Sequence, residues 1–114
     1  MTTWDRQEPL IEVISAGTGP APTDGQRVRV HFVGTFPDGR KFDSSRDRAE
    51  PFEFPLGAGR VIRGWDVAVA RMRVGERSKV TIPWEMAYGA KGRPPAIPPK
   101  ADLVFDIELL GVAQ

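Results

Sequence analysis

The stretch Arg60-Val61-Ile62-Arg63-Gly64-Trp65-Asp66 opens the only convincing helix in this chain. Trp65, Ala68, Val69 and Met72 recur at steps of three and four, which puts them on one helical face. Arg63, Asp66, Ala70, Arg71 and Arg73 fall largely on the other. Gly75 is expected to stop the run, because a helix end favours a residue tolerant of positive φ. A helix of about ten residues is marginal in water by itself. It therefore needs an apolar surface to lie on, and the rest of the chain reads as a sheet.

Leu10-Ile11-Glu12-Val13-Ile14 is β-branched and apolar, a first strand. Residues 1–9 before it read as a loosely ordered extension, with Trp4 and Pro9 tacked onto the surface, and residues 10–114 as one domain. Residues 17–25 are dense in Gly and Pro and form a connecting loop. From Arg27 to Thr35 the chain alternates, with Val28, Val30 and Phe32 to one side and Arg27, Arg29 and His31 to the other. Pro37-Asp38-Gly39 is a turn, and Lys41-Phe42-Asp43-Ser44 returns as the partner of a hairpin. Phe52-Glu53-Phe54 alternates again, as does Arg77 to Ile82, with Val80 and Ile82 inward. Residues 83–102 hold five prolines and two glycines. A structureless stretch of that length inside a compact domain is usually functional. Leu103, Phe105, Ile107 and Leu109 mark a last strand. The expected fold is α+β: a five- to six-stranded antiparallel sheet wrapped around one short α-helix.

Composition removes several function classes. The 114 residues carry a formal net charge of +1, too close to zero to argue for nucleic acid or a membrane surface. There is no cysteine, so thiol catalysis and cysteine-ligated metal are excluded. With His31 the single histidine, no metal site or catalytic triad is expected, and no cofactor. The N-terminus shows no signal peptide, and no apolar run approaches the roughly 18–20 residues that span a membrane. The expected compartment is the cytoplasm.

The acidic residues Asp43, Asp47, Asp66, Glu85, Asp102 and Asp106 show no paired spacing and read as surface or turn charges. Gly57-x-Gly59 lacks the lysine and hydroxyl residue of a phosphate loop. Pro95-Ala96-Ile97-Pro98 matches PxxP only formally. What remains is aromatic: Phe32, Phe42, Phe52, Phe54, Trp65, Tyr88 and Phe105. The simplest role for such residues is core. A tryptophan at a helix start can also floor a concave sheet, and if Phe42 and Phe105 wall it the result is an apolar ligand pocket.

Six ordered motifs carry a family resemblance. They are Val30-His31-Phe32-x-Gly34, Asp38-Gly39-x-x-Phe42-Asp43-Ser44-Ser45, Pro51-Phe52-x-Phe54, Val61-Ile62-x-Gly64-Trp65, Ala87-Tyr88-Gly89, and Ile97-Pro98-Pro99-x-Ala101-x-Leu103-x-Phe105 running on to Leu110. Over about residues 10 to 112 the chain resembles the FKBP-type peptidyl-prolyl cis–trans isomerases, and its length resembles the small single-domain members. The resemblance implies an enzyme that accelerates rotation about X-Pro bonds and assists protein folding. It implies a pocket of Phe32, Phe42, Asp43, Phe52, Val61, Ile62, Trp65, Tyr88, Ile97 and Phe105. Phe42, Asp43, Trp65, Tyr88 and Phe105 would carry the reaction. Trp65 would be the floor, Phe42 and Phe105 the walls, and the Ile62 N–H and Tyr88 hydroxyl the holders of substrate carbonyls.

The implied partners are proline-containing peptides and folding proteins, and macrolides such as rapamycin or tacrolimus, bound by a monomer. The alternative is a non-catalytic module that holds proline peptides or macrolides in the same pocket, with chaperone-like activity. Two departures bear on ligand preference. The family commonly has tyrosine where this chain has Phe32, which takes away one hydrogen-bond partner of Asp43, and Arg93, Pro95 and Ala96 fill loop positions that are often otherwise occupied.

Overall fold

The computed structural model describes residues 5–113. The alternating stretches form β1 (Leu10–Ser15), β2 (Arg27–Thr35), β3 (Lys41–Ser44), β4 (Phe52–Pro55), β5 (Arg77–Ile82) and β6 (Leu103–Val112), with α1 at Arg63–Ala70. They make one six-stranded sheet in the order β1-β5-β6-β2-β3, with β4 also paired to β2. Every pairing is antiparallel. The expected α+β architecture is therefore the one observed. Among the described residues no helix is long and apolar enough to cross a membrane.

The period-two pattern decides which side of the sheet is covered. Val28, Val30 and Phe32 of β2, Val80 and Ile82 of β5, and Leu103, Phe105, Ile107 and Leu109 of β6 are buried together with Trp65, Ala68 and Val69 of α1. The helix thus supplies the apolar surface for one face of the sheet, as its own short length required. Its end differs from expectation. The helix stops at Ala70, because Arg71 N–H turns back to the Ala68 carbonyl (3.0 Å) and Met72 N–H to that of Val69 (3.1 Å). These three-residue bonds tighten the last turn, and Met72 still points into the core. Gly75 does sit at positive φ (+95°), but in the turn that launches β5, where its N–H donates to the Leu109 carbonyl at 2.8 Å.

β2 has two successive partners along one edge. Its first half, Arg27–Val30, pairs with β4, and its second half, Val33–Thr35, with β3. Residues 45–51 leave the sheet at the split. There the buried Ser45 Oγ accepts the Phe32 N–H at 2.8 Å, and Ser45 N–H donates to the Phe32 carbonyl at 3.0 Å. The backbone of Phe32 is thus satisfied where no strand faces it. His31, on the other side of β2, has Nδ1 2.9 Å from the same hydroxyl.

The segment 83–102, expected to be structureless, is not. Trp84–Met86 forms a 3-10 turn, and Arg93 and Ile97 exchange backbone hydrogen bonds of 2.8 and 2.9 Å. Asp102 accepts the Trp84 N–H at 2.9 Å, which closes the segment on itself. Of the N-terminal extension, residues 5–9 are described and Trp4 lies outside them. Arg6 reaches this segment and pairs with Glu85 (2.8 Å) and Asp102 (2.7 Å), while Pro9 is buried.

Candidate functional site

Trp65 owes its place to the residue before it. A Cβ built on Gly64 would stand 2.4 Å from Ile82 Cγ2, so only glycine lets the first turn of α1 press onto β5. Trp65 is then almost wholly buried, at 4% exposure. Rings stand edge-on around it: Phe32 at 4.9 Å between centroids, Phe105 at 5.2 Å and Phe52 at 5.9 Å, with interplanar angles of 80°, 89° and 81°. This is the arrangement ring quadrupoles favour. The indole Nε1–H is buried with no hydrogen-bond partner.

Phe105 comes from β6 and Phe42 from β3, and their rings meet at 5.6 Å and 85°. Gly34 of β2 makes room for them, since a Cβ there would stand 2.7 Å from Phe42 Cζ and 2.9 Å from Phe105 Cε1. On the far side, Asp66 in the first turn of α1 accepts the Gly57 N–H (2.9 Å) and the Gly59 N–H (3.2 Å). This bond pair fixes the loop that delivers Arg60, Val61 and Ile62. Ile62 caps α1 with its carbonyl, which accepts the Trp65 N–H at 3.0 Å. Its own N–H has no protein acceptor among the described residues.

These elements enclose a cavity of about 260 Å³. It is lined by nine of the residues expected from the sequence: Phe32, Phe42, Asp43, Phe52, Val61, Ile62, Trp65, Tyr88 and Phe105. Ile97 is the exception. It is buried at 3% exposure in the core and does not line the cavity, and its backbone pairing with Arg93 closes the loop. Three further residues line the mouth: Arg48, Arg60 and Arg93. Arg48, from the 45–51 loop, forms an ion pair with Asp43, whose Oδ1 also accepts the Ser44 N–H at 2.8 Å, while Phe32 has no hydroxyl to offer it. Arg93 lies 5.8 Å from the centroid of the Tyr88 ring.

Chemically, the lining holds one carboxylate, one phenol, three guanidinium groups and an aromatic bowl, with no serine, cysteine or histidine. Among the described residues no cluster of His, Cys, Asp and Glu is arranged to hold a metal ion. Such a site suits a reaction that changes shape and polarity without moving a proton.

Comparison with known proteins gives the family. Residues 19–110 match the family model described as FKBP-type peptidyl-prolyl cis-trans isomerase. The chain is 53% identical over 100 residues to the peptidyl-prolyl cis-trans isomerase Fkbp12 of Drosophila melanogaster, covering 87% of this chain and 93% of the fly protein. It is equally identical over 100 residues, 53%, to FK506-binding protein 1 of Dictyostelium discoideum, covering 88% of this chain and 94% of that one. A solved peptidyl-prolyl cis-trans isomerase from Pseudomonas syringae pv. tomato superposes with a TM-score of 0.84 at 42% identity, covering 93% of this chain and 76% of the bacterial one.

Proposed function

The chain belongs to the FKBP-type peptidyl-prolyl cis-trans isomerase family, and we propose that the bowl over Trp65 is where it rotates X-Pro bonds. The barrier of about 18–20 kcal/mol comes from amide resonance, which places negative charge on oxygen and positive charge on nitrogen. Water favours that polar planar form. A bowl lined by six aromatic side chains favours the twisted, less polar amide instead, so the enzyme holds the transition state more tightly than the ground state. Each 1.4 kcal/mol of that difference gives about tenfold in rate. The two isomers of an X-Pro bond lie within about 1 kcal/mol, so one pocket serves both directions.

The roles follow from position. Trp65 floors the bowl under the proline ring, and Phe42 and Phe105 wall it. The unoccupied Ile62 N–H and the Tyr88 hydroxyl hold substrate carbonyls. Asp43, tethered by Arg48, faces the twisting amide. Phe32, Phe52 and Val61 complete the surface.

The substrates are proline-containing segments of folding proteins. Relatives named FK506-binding proteins support a macrolide of the tacrolimus or rapamycin type as a competitor for the same bowl. The chain works as a monomer in the cytoplasm. The observation that carries this reading is the convergence of Trp65, Phe42 and Phe105 with Ile62 and Tyr88 on one cavity. An NMR exchange experiment on a capped X-Pro peptide tests it: cis–trans exchange has to accelerate with the protein and return to the spontaneous rate when the macrolide is added.

A further inference from the structure

The bowl is apolar but its mouth is basic. Arg48, Arg60 and Arg93 line it, against a single carboxylate, Asp43. Asp43 is already paired with Arg48. Arg60 and Arg93 are exposed, and neither forms a salt bridge among the described residues. The surplus of positive charge does not reflect a basic protein, since the whole chain carries only +1. Nor is it placed at random. Arg60 follows the loop that Asp66 pins through Gly57 and Gly59, and Arg93 stands over the Tyr88 ring on the loop closed by its pairing with Ile97. Two unneutralised guanidinium groups therefore flank the entrance from two different loops.

We propose that this rim selects X-Pro segments that carry an anionic side chain, a carboxylate or a phosphate, within two residues of the proline. The inference rests on the bowl being the isomerase site. The proline ring enters the aromatic bowl, and the neighbouring anion reaches the rim. A guanidinium fork matches carboxylate and phosphate oxygens two at a time, which a solvated point charge does not. The low-dielectric walls beside it focus the field outward toward the approaching peptide.

The test compares peptides within each protein. Capped peptides with Glu, Gln, Lys, Ser or phosphoserine before the proline are assayed by NMR exchange at low ionic strength and at about 0.5 M salt, where surface charges are largely screened. Wild type should show kcat/KM for Glu-Pro about three- to fivefold above Gln-Pro at low salt. Phosphoserine-Pro should exceed Ser-Pro by more than that, Lys-Pro should fall below Gln-Pro, and all these gaps should close in salt. Which anion gains most separates phosphoprotein from acidic-segment substrates. The exposed double variant Arg60→Glu with Arg93→Glu should reverse the Glu-to-Lys order, and each single change to Gln should shrink it. A Glu-to-Gln ratio of one or less in wild type, or one that these variants do not move, overturns the rim assignment while leaving the isomerase reading intact. Absence of acceleration on every peptide, Gln-Pro included, overturns both.

Discussion

Gly64 and Ile82 are in such close contact that a methyl group on Gly64 would stand 2.4 Å from Ile82 Cγ2. The contact fuses the first turn of α1 to β5, and Trp65, the next residue, takes its orientation from it. Gly64→Ala should therefore destabilise the fold by about 1–3 kcal/mol, as overpacking does, despite the better helix propensity of alanine. Urea denaturation measures the loss. The same variant should lose kcat/KM out of proportion to its stability, because a shift of the helix start tilts the pocket floor.

Trp65 presents a ring and an unpartnered donor, and the two can be separated. Trp65→Phe keeps an aromatic floor and removes the buried Nε1–H, which strands no partner. It should remain folded with a partial loss of kcat/KM. Trp65→Ala removes the whole ring packed against Phe32, Phe52, Phe54 and Phe105, and should cost about 3–5 kcal/mol. Thermal melts alongside the exchange assay distinguish the two outcomes.

The pocket lining holds no histidine, and His31 stands on the opposite side of β2, against Ser45. Imidazole is the side chain that ordinarily titrates near neutrality. Between about pH 6 and 8 kcat/KM should therefore stay level, measured by NMR exchange in a set of matched buffers.

Arg6 ties the N-terminal segment to the 83–102 loop, and its hydrogen bond holds the Glu85 carboxyl below the usual carboxylate range. A carboxyl depressed in the folded state stabilises it fully above its unfolded-state value and ceases to do so as pH falls through its folded value. Arg6→Gln should thus lower Tm by a constant amount between pH 6 and 8, with the difference shrinking below about pH 4.5. A difference that grew on acidification would contradict the pairing.

Much of the architecture was legible because a period of two survives in every strand that faces the core, from Val28-x-Val30-x-Phe32 to Leu103-x-Phe105-x-Ile107. The start of α1 was legible for the same kind of reason, from Trp65, Ala68 and Val69. Its end was not, because Met72 keeps the helical spacing while belonging to a tightened turn that also points inward. Strand order was invisible locally: nothing in Arg27–Thr35 announces that its two halves pair with different strands. Nine of the ten residues expected from motif resemblance line the cavity, and Ile97 is buried without lining it. The arginine rim escaped because an exposed arginine is ordinary on any surface, and only the fold brings residues 48, 60 and 93 to one mouth.

Whether the aromatic bowl performs the rotation is tested most directly at Phe42. This ring walls the cavity and is only half-buried, so Phe42→Ala should leave a folded protein. NMR exchange on one capped X-Pro peptide, with wild type and variant at matched folded concentration, is the measurement. A fall in kcat/KM of about tenfold or more, the equivalent of about 1.4 kcal/mol of transition-state stabilisation, is expected. A folded Phe42→Ala protein with wild-type kcat/KM would place the reaction elsewhere on the molecule.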